Sequence, residues 1–537
     1  MLLKMCLFDG EGAMRNIVIF VNPANSDDFF ASLEDGAGSV AKGVQHTDWA
    51  NFPHLGILSL ASYISKFGYE SVYFDGVAVS IDELYAYVRE NADKVLAVCL
   101  SAITANFSSC LCIGEFVKSV DEDIKTIFGN DHFSVMHEKI IQRYWSVDYG
   151  IVGNEVYQTL KGLLDAIRGH GDISHRLPSL VTKDIINPEE GGEEEINHYV
   201  DYSLIDRVFD HSGVYKKNFQ ARLTGRVHDL TQRFVTSGVP VEIARGCIKF
   251  SGDDACSFCS IQYGGMWRNY LHHEQAWDAI KAAHDNGYDY LYITADELPL
   301  TFGRLLLDMD KFKPKWWLDL PIHKRPMLVG YARADGMEKR NVMEAMANIG
   351  FKILFIGIDA GAKKSLQALK KTLRKKDVIS SSESMYMANI RAIENARRFG
   401  VKIKSGFVLG HIGMNKELLD ENVREYKRIL EMGRDVIVSA DVEMLSPEPG
   451  SKDYEYLISP EVAKREAKSL GLEVSEDSVL NEVAFYYKDK DIFDRDAAIS
   501  DYVRAMMPDL CKNDIASVRD EIRSYSKSLG IVVGDEL

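Results

Sequence analysis

Cysteine is scarce. The 537 residues carry only eight, irregularly spaced, which excludes the disulfide framework of a small secreted scaffold and implies reduced thiols in the cytoplasm. Positive charge is also in deficit: 63 Lys and Arg face 80 Asp and Glu, a net charge of −17 with no long basic block, so no nucleic-acid-binding face is expected. Clean hydrophobic runs are missing too. The most apolar stretch, VLAVCLSAITANFSSCLCIG (95–114), is broken by Asn106 and several Ser and Thr, which fits a strand, a loop and a helix start better than a membrane span. The first residues, MLLKMCLFDGEGAMRN, are interrupted by Asp9, Glu11 and Arg15, so no export signal is expected. What is present, 46% hydrophobic and 27% charged residues, is the composition of a folded protein long enough for several units.

The chain alternates short apolar runs with helical periods. NIVIFVNP, SVYFDG (71–76), VLAVCLSA (95–102), IKTIFGND (124–131) and VDYGIVGNE (147–155) read as strands separated by single helices. That pattern predicts a Rossmann-like, doubly wound parallel sheet over 1–168, with a ligand crevice beyond the strands' C-terminal ends. Residues 169–235, with the acidic run NPEEGGEEEIN, read as a linker. The βα rhythm returns with VPVEIARG (239–246), YDYLYITAD (288–296), PMLVGYARADG (326–336), KILFIGIDAG (352–361), VKIKSGFVLGH (401–411) and DVIVSADVEML (435–445). Six units predict a partial (β/α)6 barrel over 236–455, followed by a small helical region over 456–537.

Cys247, Cys256 and Cys259 fall just after the first strand of the second unit, on the rim where βα barrels place their chemistry. Structural zinc wants a fourth ligand, for which His272 and His273 are nearest. A catalytic disulfide leaves one thiol without a role. A [4Fe–4S] cluster held by three thiolates uses all three and keeps one iron open. Buried thiols without function are the fourth reading.

The stretch ARGCIKFSGDDACSFCSI resembles the cluster loop of radical S-adenosylmethionine (radical SAM) enzymes, usually Cys-x3-Cys-x2-Cys with an aromatic residue before the last cysteine, here Phe258. The x8 spacing between Cys247 and Cys256 departs from that pattern. ITADELP (293–299), YARAD (331–335), FIGIDAG (355–361), SGFVLGHIG (405–413) and SPEPGS (446–451) resemble later segments of the family in the same order. NP (22–23), FPHLGILSLASYISKFGYESVYFDG (52–76), CLSAIT (99–104), GNDHFS (129–134) and DYGIVGNEVYQTLKGLL (148–164) resemble the cobalamin-binding domain preceding the barrel in one subgroup. An Asp-x-His-x-x-Gly loop is absent.

The resemblance implies that Cys247, Cys256 and Cys259 hold the cluster. It implies further that Asp296 or Glu297 accepts the SAM ammonium, that Arg333 meets its carboxylate or ribose, and that Asp359 and Gly410 line the same cofactor. Cobalamin would lie near Ser101, Thr104, Gly129 and Gly153, with His46, Trp49 and His54 on a facing loop. Trp267, Arg268, Tyr270, Trp316, Trp317 and His323 are candidates for a substrate wall, and Asp253 and Asp254 for a lid. The function implied is a cobalamin-dependent methyltransferase acting on a small molecule and fed by an electron donor such as flavodoxin or ferredoxin. The alternatives are a radical SAM enzyme without cobalamin, transferring another SAM fragment or catalysing oxidation, cyclisation or rearrangement, and a non-catalytic metal-sensing scaffold.

Overall fold

The computed structural model describes residues 15–34, 51–153, 156–169, 177–188, 200–249, 255–260, 269–372 and 378–534. Strands β1 (Ile17–Asn22), β2 (Glu70–Asp75), β3 (Val95–Ser101), β4 (Lys125–Gly129) and β5 (Tyr149–Ile151) form a parallel sheet in the order β2-β1-β3-β4-β5. A short β6 (Leu180–Val181) runs antiparallel along the β5 edge. Every residue of β1 and β3 is buried, which explains their continuous apolar text: strands covered on both faces do not alternate. Strand order reverses between β1 and β3, and ligands of doubly wound sheets bind outside that switch point.

The second sheet follows chain order: β7 (Gly238–Val241), β10 (Tyr290–Ile293), β11 (Met327–Arg333), β12 (Phe351–Asp359), β13 (Lys402–Leu409) and β14 (Ile437–Met444), each parallel to the next. This is the order of a partial βα barrel. From the C-terminal region β15 (Val532–Val533) adds a seventh parallel strand at the β14 edge. Between β7 and β10 lies a two-stranded antiparallel ribbon, β8 (Ala244–Arg245) with β9 (Asn269–Tyr270). The strand expected to run through residue 246 therefore stops at Val241, because Glu242 turns back to ion-pair with Arg245 and the chain leaves the sheet for the ribbon.

The segment read as a linker holds helices Ser212–Phe219 and Gly225–Thr231, joined by a π-helical turn at Gln220–Thr224. Phe219, Leu223 and Val227 on it pack with Tyr290, Met327, Val329 and Ile353 in a core of their own. The alternation along β10 to β12 explains why: Tyr290, Met327, Val329 and Ile353 face this plug, while their neighbours Leu291, Leu328 and Leu354 face the flanking helices in the main core. The first domain contributes Phe52, whose ring stacks on Tyr290 and Tyr292 with centroids 5.9 and 6.2 Å away. Beyond residue 456 lie helices Pro460–Leu470, Asp477–Lys488, Arg495–Met506 and Lys512–Ser528. Among the described residues no helix is long and apolar enough to cross a membrane.

Candidate functional site

The cysteine loop is held from two sides. Gly246, before Cys247, donates its N–H to Asp296 Oδ2 at 2.8 Å, and Ile248, after it, donates to Thr301 Oγ1 at 3.1 Å. Thr301 is itself fixed by Glu297, whose carboxylate accepts the Thr301 N–H and hydroxyl, both at 2.7 Å, and the Leu300 N–H at 3.1 Å. The residues after β10 thus staple both flanks of Cys247. Glu297 is fully buried, and burial raises its pKa against these hydrogen bonds. The other two cysteines share one turn, in which Cys259 N–H donates to Cys256 O at 3.1 Å, while Ser257 N–H reaches Leu369 O at 3.0 Å. Phe258 is partly buried and packs against the main core.

Charge around the thiols favours thiolates once a metal pays the desolvation. Burial pushes the Cys247 thiol up to about 11, opposed by the Lys249 N–H at 3.4 Å and by Arg333. Burial works against the charge of Arg333, yet Asp335 and the thiols of Cys256 and Cys247 hold it above its ordinary value. Lys371 behaves likewise: burial opposes its charge, and Asp359 and Cys256 restore it. Among the described residues no three His, Cys, Asp or Glu side chains converge on one point as a single ion requires. His273 pairs with Glu274 and stacks on Phe312. A cubane asks for something else, since each thiolate binds its own iron and the sulfurs stand around the cube. Three thiols on one braced loop, with two buried cations beside them, fit that group.

Several expected roles change in detail. Glu297 holds the loop instead of offering free oxygens, leaving Asp296 as the carboxylate that reaches the cavity described below. Arg333 forms a two-point ion pair with Asp335 at 3.0 and 3.2 Å and bonds Thr372 O at 3.2 Å. Asp359 ion-pairs with Lys371 at 2.5 Å. Lys371 carries no signal of this role in the sequence, because the partner that fixes it, Asp359, lies elsewhere in the chain. Gly410 has φ +89°, and a Cβ there would stand 2.9 Å from Met507 Cε, so its close approach is to the C-terminal region.

Thr301→Val keeps the volume and removes the hydroxyl that holds Ile248. Iron retention after reconstitution is expected to fall severalfold while Thr301→Ser restores it; equal retention in all three proteins would remove the staple from the account.

A cavity of about 810 Å³ lies between the two sheets. From the first domain Ser101, Gly129, Asn130, Asp131 and Gly153 line it, at the C-terminal ends of β3 to β5; from the second, Tyr292, Tyr331, Phe355 and Asp296. Asn130 Nδ2 donates to Ser101 Oγ at 2.9 Å, and Gly153 N–H to Ser134 Oγ at 3.2 Å. Thr104 stands behind this wall: its hydroxyl contacts His132 Nδ1 at 3.3 Å, and His132 Nε2 bonds Asp491 O at 2.7 Å. His54 lines the cavity and caps the helix Leu55–Ser65 by accepting the Ile57 N–H. Arg245 crosses the domain boundary, bonding Tyr157 OH at 2.8 Å and Glu242 Oε2 at 2.7 Å. Trp316 and Trp317 pack on Trp277 instead of forming a substrate wall. His46, Trp49, Asp253, Asp254, Trp267 and Arg268 lie outside the described residues.

Asp131 opens its first helix turn into this cavity, opposite Asp296. Asp131 is exposed within the open cavity, and the surrounding walls first and Asp296 second raise its carboxyl toward about 6. The folded chain keeps this proton where the unfolded chain, with a pKa of about 4, has lost it, so stability falls as pH rises from about 4 to 6 and stays lower above. Asp131→Asn is expected to flatten the urea-midpoint profile over that window. A profile unchanged from wild type would locate the dependence elsewhere.

Residues 47–158 match the B12 binding domain family. No curated protein matches the chain. Among solved structures, the radical S-adenosylmethionine methyltransferase TsrM from Kitasatospora setae, with cobalamin and a [4Fe–4S] cluster bound, aligns at a TM-score of 0.60 and 15% identity, over 83% of this chain and 78% of that one. OxsB, a cobalamin-dependent S-adenosylmethionine radical enzyme with aqua-cobalamin bound, aligns at 0.56 and 17%, over 84% of this chain and 56% of that one. The chain thus spans little more than half of OxsB. Residues 47–158 carry the match to the B12 binding domain, and over 83% of its length the chain shares the fold of TsrM.

Proposed function

We propose that this protein is a cobalamin-dependent radical SAM methyltransferase acting on a small molecule. One observation carries the reading: the three-cysteine loop is stapled by Asp296, which itself lines a cavity shared with the B12-binding domain. Cys247, Cys256 and Cys259 would hold the [4Fe–4S] cluster, and Arg333 and Lys371 would offset its negative charge and that of the SAM carboxylate. When bound, the cluster supplies one electron for cleaving SAM, and cobalamin supplies a methyl carrier. The small residues Ser101, Gly129 and Gly153 leave room at the switch point for the cobalamin nucleotide tail; a Cβ on Gly129 would already touch Ile151 O at 3.4 Å. Asp296 faces the cavity and would meet an ammonium there. Tyr292 and Tyr331, joined through their hydroxyls, and Phe355 would exclude water from the reacting centre. The electron would come from a flavodoxin- or ferredoxin-type donor.

The test is anaerobic reconstitution with iron, sulfide and hydroxocobalamin, followed by SAM and a reductant. A cubane spectrum, corrin absorbance that survives gel filtration, and reductive SAM cleavage are the expected results. Cluster and SAM cleavage without retained corrin would favour the cobalamin-free reading, and absence of both would favour a scaffold.

A further inference from the structure

Ser257, between two of the cysteines, is fully buried, and its carbonyl accepts the N–H of Asp453 at 3.1 Å. Asp453 lies outside the six-strand region that carries the site, in the first turn of the helix Lys452–Ile458. That helix is capped by Ser451, whose Oγ accepts the Tyr454 N–H at 3.0 Å. The Asp453 carboxylate is fully buried and accepts the hydroxyl of Tyr502, a fully buried residue of the helix Arg495–Met506. Its other oxygen, Oδ2, and the Ser257 hydroxyl are both buried and, among the described residues, make no hydrogen bond, so the contact between the two residues is the backbone one. The helix carrying Tyr502 is in turn tied to the rim after β13, where Gly413 N–H donates to Met506 O at 2.8 Å. A carboxyl group is costly to bury unless it is bonded, and here the Tyr502 hydroxyl supplies that bond.

We propose that Tyr502 and Asp453 form a buried strut that holds the Cys256–Cys259 turn in ligating geometry, making the C-terminal helical region part of the cluster site. The inference rests on the assignment of those cysteines as cluster ligands. Tyr502 and Asp453 are positioning residues: they touch neither iron nor SAM, and act through Ser257. The strut fixes the turn through its backbone carbonyl, so a shift in the carboxylate moves both cysteine ligands together.

Tyr502→Phe removes one oxygen and keeps the ring. After anaerobic reconstitution of the full chain, release of iron to a chelator is expected to be about five- to tenfold faster than in wild type, the scale of leaving a buried charged acceptor without its donor. The paramagnetic resonance spectrum of the reduced cluster is expected to shift, a readout that a general loss of stability would not move. Asp453→Asn, which keeps the volume and removes the charge that the Tyr502 hydroxyl meets, provides the second variant should Tyr502→Phe fold poorly, and is expected to shift the same spectrum. Wild-type release rates and an unaltered spectrum in both variants overturn the strut while leaving the cluster assignment intact. A wild-type chain that takes up no cluster overturns both.

Discussion

Replacement of Cys256 by alanine is expected to abolish cluster uptake and SAM cleavage, while leaving the fold in place. The argument is local. Cys256 contributes its carbonyl to the turn, and among the described residues its sulfur makes no hydrogen bond; the backbone of Ser257 anchors the loop to Leu369 and Asp453. Alanine retains every one of those bonds. What it removes is one corner of the ligand set, and a cubane with three thiolates has none to spare, because its fourth iron is the one left open. Iron should fall from about four atoms per chain to background, and cleavage of SAM below about a thousandth of the wild-type rate, the scale on which loss of a whole reacting unit is felt. Cys511→Ala is the control: that thiol is exposed and belongs to the C-terminal region, so iron content and rate should be those of wild type. A Cys256→Ala protein with its full complement of iron and an undiminished rate would dismiss the central assignment.

The second large effect is structural. A Cβ on Gly238 would stand 2.3 Å from Phe52 Cε1 and 2.8 Å from Phe219 Cε2, both inside any permissible contact. Two rings from different parts of the chain meet over this one backbone position, Phe52 from the B12-binding domain and Phe219 from the plug. Gly238→Ala must displace at least one, and overpacking of this kind costs about 1–3 kcal/mol, read as a lower denaturant midpoint. Phe52→Ala in the same chain should recover part of the loss, since the two substitutions share a contact and are not independent. Additive losses would mean that the ring moves aside freely and that no lock exists between the domains.

The sheets were legible because buried parallel strands announce themselves as unbroken apolar runs, as in IVIFVN and VLAVCLS, and because Gly or a cap closes most helices. The cysteine loop stands out by residue type, and its reading as a cluster loop comes from the resemblance. What escaped notice has a common physical reason: it depends on a partner distant in sequence. Lys371 sits in a basic run and becomes a buried cation only because Asp359 waits for it. Glu297 reads as a SAM contact, yet its carboxylate is spent on Leu300 and Thr301, and Thr301, which carries no signal in the sequence, is the residue that holds Ile248. Residues 212–231 fall within the stretch that reads as a linker, since Phe219, Leu223 and Val227 are too few to mark an amphipathic face until Tyr290, Met327 and Ile353 are set against them. The strand expected to continue to residue 246 ended early because an ion pair between neighbours, Glu242 and Arg245, is invisible to periodicity.

The plug has a practical side. A fragment begun at residue 236, where composition suggests a clean cut, would shed Phe219, Leu223 and Val227 together with Phe52 and bare an aromatic-lined trough to solvent. Such a surface is an aggregation hazard. Expression of the second half in isolation therefore has to start before residue 212, and even then an aromatic socket for Phe52 stays open.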